Sequence, residues 1–137
     1  AAAVAAHECG HVLQDKQGYA LMNARSTLVP AANFGGQISP LLIMGGLLFG
    51  QLGQPFIFIG IGLFLAVLAF HVVTLPVEFD ASSRALKLID QLGILQGNEN
   101  NGARAVLNAA AWTYVATALY SLLQLLQYVI LLNSRNR

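Results

Sequence analysis

The stretch 55–75, PFIFIGIGLFLAVLAFHVVTL, decides the kind of fold this chain adopts. A helix of that length rises about 30 Å, the thickness of a bilayer's hydrocarbon core. His71 is its only ionisable group, and Pro55 opens it where a missing N–H costs nothing. The stretch therefore reads as a membrane-spanning helix. Upstream, 38–53 is also uncharged but short, so this span begins nearer Asn33 or lies tilted and shallow. The residues between, Gln51 to Pro55, suffice for a helical hairpin. Downstream, 105–132 forms a third apolar stretch, preceded by Arg104 and followed by Arg135 and Arg137. The pairs Gly46 and Gly50, then Gly60 and Gly62, are small enough to let membrane helices approach closely.

Composition agrees. The 137 residues are 56% hydrophobic and 9% charged, where soluble domains carry roughly 25% charged residues. The net charge of +1, with no basic cluster, gives nucleic acid no surface to bind. The one cysteine, Cys9, excludes an internal disulfide framework. We expect one all-α, membrane-embedded domain over 1–137, with about three spanning helices. It opens in mid-helix and reads as truncated at its N-terminus.

Between the second and third spans, 76–92 is expected as a separate polar helix, begun by Pro76 and closed by Gly93. Asp80 and Arg84, four apart, would pair on its exposed face. The run 97–102, GNENNG, reads as the clearest loop. Two crossings return the chain to the side it left, so the segments 1–37 and 76–104 should share one face of the membrane. That face holds Lys16, Arg25, Arg84, Lys87 and Arg104, against no charge at 51–54, which points to the cytoplasmic side. Arg135 and Arg137 would then lie opposite.

The chemistry lies at 7–11, His-Glu-Cys-Gly-His, following the alanine-rich, helix-forming run 1–6. Two histidines four apart stack on one helix face, so both imidazoles can reach one Zn2+ ion. Glu8 lies close enough to take a proton from a water at that metal. A hydrolytic zinc site needs a third protein ligand. The candidates are His71, Glu78, Asp80, Asp90, Glu99, Asp15 and Cys9. Cys9 points off the histidine face, Asp15 is better placed to brace a ligand, and Glu99 sits in the expected loop. Glu78 is preferred to Asp80, because it opens the polar helix on the same side as the histidines. Its competing reading is an acid that only satisfies a helix N-terminus. His71, two turns before Glu78, could stabilise an oxyanion or simply bond a neighbouring helix. Arg84 and Tyr19 are weaker candidates for that role. Trp112, Tyr114, Tyr120 and Tyr128 read as packing or interface anchors.

Rival chemistries lack their residues. A di-iron carboxylate bundle needs a second Glu-x-x-His, and neither Glu78 nor Glu99 has a histidine three on. Gly-x-Ser-x-Gly and Gly-x-Gly-x-x-Gly patterns are absent, as is the Asp-Gly ligand of intramembrane zinc proteases.

The segments 5–15 (AAHECGHVLQD), 28–33 (LVPAAN), 74–82 (TLPVEFDAS) and 109–116 (AAAWTYVA) together resemble the YugP-like neutral zinc metallopeptidases. The resemblance implies a bacterial membrane protein with zinc-dependent endopeptidase activity, and a further N-terminal membrane segment before Ala1. The string 78–82 is also similar to the Glu-x-x-Ala-Asp motif of membrane prenyl-protein and heat-shock proteases, whose glutamate is the third zinc ligand. Ser82 departs from it, standing where those families carry an aspartate that braces a histidine; bracing would then fall to Ser82 itself, Asp80 or Asp15.

The expected function is a gluzincin-like membrane endopeptidase in a bacterial plasma membrane. Its zinc would be held by His7, His11 and Glu78, with Glu8 as general base and His71 as helper, acting on a polypeptide or membrane-protein substrate. The rival is a non-enzymatic helical scaffold with a structural metal.

Overall fold

A computed structural model describes residues 1–135. The chain forms four helices, α1 (Ala2–Lys16), α2 (Ala20–Leu48), α3 (Gln54–Leu92) and α4 (Asn98–Arg135), with a short 3-10 turn at Gly50–Gly53. No strand occurs among the described residues, so the all-α expectation holds. Arg137 lies outside the described residues.

Helix α1 grows from the alanine-rich start and ends in a hydrogen-bonded closure. The Gly18 N–H donates to the Asp15 carbonyl at 3.2 Å and the Tyr19 N–H to the Gln14 carbonyl at 2.8 Å. Gly18 adopts φ +67°, a conformation that a side chain would strain. The chain then enters α2 at once, which brings Arg25 close behind α1 in sequence.

Three prolines lie inside helices, Pro30 and Pro40 in α2 and Pro76 in α3. In apolar surroundings a helix pairs its own backbone groups, so a proline costs local bonding without ending the element. This overturns one expectation. The segment 76–92 is helical but not separate; it is the second half of the 39-residue α3. The segment 97–102 also differs, because α4 begins at Asn98 and Glu99 sits in its first turn, where a carboxylate favours the helix dipole.

Two helices are long and apolar enough to cross a membrane, Gly50–Leu92 and Asn98–Arg135. Within the first, the apolar crossing stretch is 55–75. The expected span 38–53 supplies the end of α2 and the 3-10 turn. It is not one of the two, since Asn33, Gln37 and Ser39 dilute the apolar end of α2.

The chain forms two compact units, one of residues 1–25 and 73–116, the other of residues 26–72 and 117 onward. In the first, Ala3 and Ala6 of α1 pack with Ala85 and Ile89 of α3 and Ala103 and Leu107 of α4. Small side chains on all three helices permit close packing. The closest approach is at Gly10, where a Cβ would run into the Ala81 backbone carbonyl. In the second unit, Ser39 Oγ donates to the Gly60 carbonyl at 2.7 Å and Arg135 to the Gly46 carbonyl at 2.8 Å. Phe64 meets Tyr128 edge-on. Of the small residues expected at helix contacts, Gly46 and Gly60 are there, whereas Gly62 and Gly50 face nothing within 4 Å. Leu41, Met44, Leu48, Phe49 and Phe58 of this unit are exposed, an arrangement that lipid satisfies and water does not.

Candidate metal centre

Helix α1 presents His7 and His11 on one face, with ring centroids 4.7 Å apart, as a four-residue spacing dictates. Because Gly10 lets α1 lie against the backbone at Ala81, the same face meets the turn of α3 that carries Glu78. The Glu78 side chain is 2% exposed. Its Oε2 lies 2.8 Å from His7 Nε2 and its Oε1 lies 3.4 Å from His11 Nε2. Ligand atoms of the three residues all fall within 4.8 Å of one another, and among the described residues no other such group of three occurs.

The remaining ring nitrogens are engaged. His7 Nδ1 is 3.1 Å from Ser82 Oγ, and His11 Nδ1 is 2.9 Å from Gln14 Oε1. Gln14 is fully buried, and its amide nitrogen donates to the Val77 carbonyl at 2.8 Å and to Asp80 Oδ2 at 2.9 Å. With the amide so committed, Gln14 Oε1 must accept, so His11 carries its proton on Nδ1 and turns the Nε2 lone pair toward Glu78. Arg84 Nε donates to the same Asp80 oxygen at 2.7 Å. Its guanidinium also bonds Gln17 and lies over the Tyr19 ring. Burial pushes the Asp80 carboxyl up, but hydrogen bonds from Gln14 and Arg84, with the charges of Arg84 and Lys87, outweigh it and hold the carboxyl below its ordinary value. Asp80 lies beyond the apolar stretch 55–75, at the polar end of α3.

Two imidazoles with oriented Nε2 atoms and one buried carboxylate form a donor set that suits zinc. Glu8 is exposed and, with Cys9, His11, Val12, Asp15 and Met22, lines an open cleft of about 410 Å³.

The structure thus brings together His7, His11 and Glu78, with Glu8 on the adjoining cleft. Glu78 lies deep inside α3, so the helix-terminus reading of this acid does not apply. Cys9 is outside the group, and Asp80 is linked to it through Gln14. Asp90 lines a different pocket, with Lys87 and Arg104. Of the three groups considered for bracing, Ser82 contacts His7 directly, Asp80 reaches His11 through Gln14, and Asp15 lines the cleft. Arg84 and Tyr19 belong to that supporting cluster. His71 lies in the second unit, its ring against Phe70, and is not one of the grouped residues.

Three participants escaped the sequence reading. Gln14 carries no pattern that marks it. Tyr114, read as an anchor, hydrogen-bonds Glu78. Arg25 Nη1 lies 3.3 Å from Glu78 Oε1. Arg25 did leave a signal, since it is the sole Lys, Arg, Asp or Glu between Lys16 and Glu78, and a lone charge in apolar sequence points to a site.

Fold and donor set together define a class: an all-helical, membrane-type chain built around a two-histidine, one-carboxylate centre. The family described as "Putative neutral zinc metallopeptidase" matches residues 1–133, and the chain belongs to it. Zinc is accordingly the metal of this family. The chain is 48% identical over 137 residues to a Bacillus subtilis (strain 168) protein described as "Putative membrane protease YugP". That alignment covers 99% of this chain, which spans about 60% of the relative's length. No solved structure matches the chain.

Proposed function

We propose that residues 1–137 form a membrane-embedded, zinc-dependent endopeptidase domain of the gluzincin type, with His7, His11 and Glu78 as metal ligands and Glu8 as general base. The observation that carries this reading is the convergence of both histidines of α1 on the buried carboxylate of α3, beside a cleft that exposes Glu8. Zinc bound there supplies Lewis acidity, which lowers the pKa of water and polarises a carbonyl. The chain's own residues do the rest. Gln14 holds the His11 imidazole in the ligating tautomer, and Ser82 orients the His7 ring through its Nδ1. Glu8 takes a proton from the attacking water and returns it to the leaving amine nitrogen. Charge stabilisation is assigned to Tyr114, which lies beside Glu78, with His71 as the helper that the sequence suggests.

The substrate is a polypeptide that reaches the cleft near the bilayer surface, such as a membrane protein or its tail. The bacterial relative and the basic residues Lys16, Arg84, Lys87 and Arg104 support a plasma-membrane protein with its site on the cytoplasmic face. The scaffold reading needs a closed metal site with a fourth protein ligand, and the described group offers three.

The test is Glu8→Gln in the full chain. Zinc stoichiometry should stay at the wild-type level while peptide cleavage falls by about 10²–10⁴-fold. Undiminished cleavage by this variant refutes the mechanism.

A further inference from the structure

Glu78 has two carboxylate oxygens, and a carboxylate can hold a metal through one or through both. Which it does decides whether a catalytic zinc keeps a position for water. The structure gives the oxygens different partners. Oε2 is 2.8 Å from His7 Nε2. Oε1 is 3.4 Å from His11 Nε2 and 3.3 Å from Arg25 Nη1. Arginine keeps its charge at all working pH values. The Arg25 side chain is 26% exposed and its Nε is buried, so its guanidinium is set into the protein at this place. It is the sixth residue of α2, soon after the closure that ends α1, and is carried to Glu78 by that short connection.

We infer that Arg25 is a positioning residue that claims Oε1 of Glu78, confining this carboxylate to single-oxygen ligation and so keeping a coordination position for the attacking water. The inference rests on the assignment of Glu78 as a metal ligand. Two physical effects follow from the ion pair. A guanidinium paired with Oε1 competes with any metal for that oxygen. It also draws electron density from the carboxylate and places a fixed positive charge beside the metal, which weakens metal binding while keeping the metal a stronger Lewis acid. An arginine kept only to neutralise a buried acid would have a different signature, because losing it would loosen the fold and the metal together.

The experiment uses the full chain in detergent micelles, loaded with Co2+ as an optical probe of coordination number, alongside zinc affinity by chelator competition and steady-state peptide cleavage. For Arg25→Met, zinc should bind as tightly as in wild type or more tightly. The visible Co2+ bands should change from the wild-type pattern as Oε1 enters the coordination sphere, and kcat should fall by about 10²–10³-fold with KM nearly unchanged. Arg25→Lys, which keeps the charge and loses the planar fork, should lie between the two in spectrum and in kcat. A wild-type Co2+ spectrum in Arg25→Met overturns the inference. If Arg25→Met does not fold, Arg25→Lys decides, and an unshifted spectrum in that variant has the same force. Glu78→Ala separates the two levels of the argument: it should lose the Co2+ bands and most of the affinity. Should Glu78→Ala bind Co2+ as wild type does, the ligand assignment itself fails, whatever the Arg25 variants show.

Discussion

Replacing Gln14 by methionine keeps nearly the same volume at a fully buried position while removing every polar contact it makes. Three hydrogen bonds are lost, to His11 Nδ1, to the Val77 carbonyl and to Asp80. Each is worth about 0.5–1.5 kcal/mol net, so the variant should lose about 1.5–4.5 kcal/mol of stability. The upper part of that range is favoured, because the His11 Nδ1–H would stay part-buried with no acceptor. The Val77 carbonyl, inside α3, has a helical partner and suffers least. A separate effect falls on the metal. Without Gln14 Oε1, the His11 ring is free to flip or to change tautomer, and loss of such an outer partner costs about 10–100-fold in affinity. Zinc affinity by chelator competition and thermal unfolding with and without zinc measure the two effects independently. The gap in melting temperature between zinc-loaded and zinc-free protein should shrink in Gln14→Met, since a ligand stabilises only as far as it binds. Zinc affinity within twofold of wild type, in a folded Gln14→Met protein, would refute the claim that this glutamine orients His11.

The remaining predictions concern the same helix contact. Ser82→Ala should weaken zinc binding by about tenfold, because His7 loses its Nδ1 partner; Ser82→Asp, which offers a charged acceptor, should bind zinc more tightly than wild type in the same competition assay. Gly10→Ala places a methyl group against the Ala81 backbone carbonyl, which cannot turn aside as a side chain would. It should destabilise the protein by about 1–3 kcal/mol and lower zinc affinity as α1 moves away from Glu78, whereas alanine at Gly36, with nothing within 4 Å, should do neither.

Much of the fold was legible because its signals are local. The apolar stretch 55–75 and the alanine-rich start each specify helix within a few turns of themselves. Pro76 reads as a helix start by the pattern of soluble proteins, but here the helix runs on through it from apolar surroundings. The GNENNG run differs in a similar way, since Asn98 begins α4 rather than extending a loop. Within the site, the histidine pair was readable from spacing, and Glu78 from its position and from the resemblance at 78–82. Gln14 was not, because a glutamine on a helix has no preferred partner until a second helix covers it. Tyr114 was hidden among aromatic residues whose ordinary task in apolar helices is packing.

The sequence by itself determined that this chain is helical and suited to a membrane, and that His7 and His11 share one face with Glu8 beside them. These follow from hydropathy and from the 3.6-residue period, which act over short distances along the chain. Only the tertiary structure brings the Glu78 carboxylate against both histidines, with Ser82 and Gln14 on their other nitrogens, and only there does Arg25 meet the far oxygen of the carboxylate. His7 and Glu78 are 71 residues apart in sequence. Their meeting depends on how closely α1 can lie on α3, a distance set by the absence of a side chain at Gly10 and by the alanines packed around it.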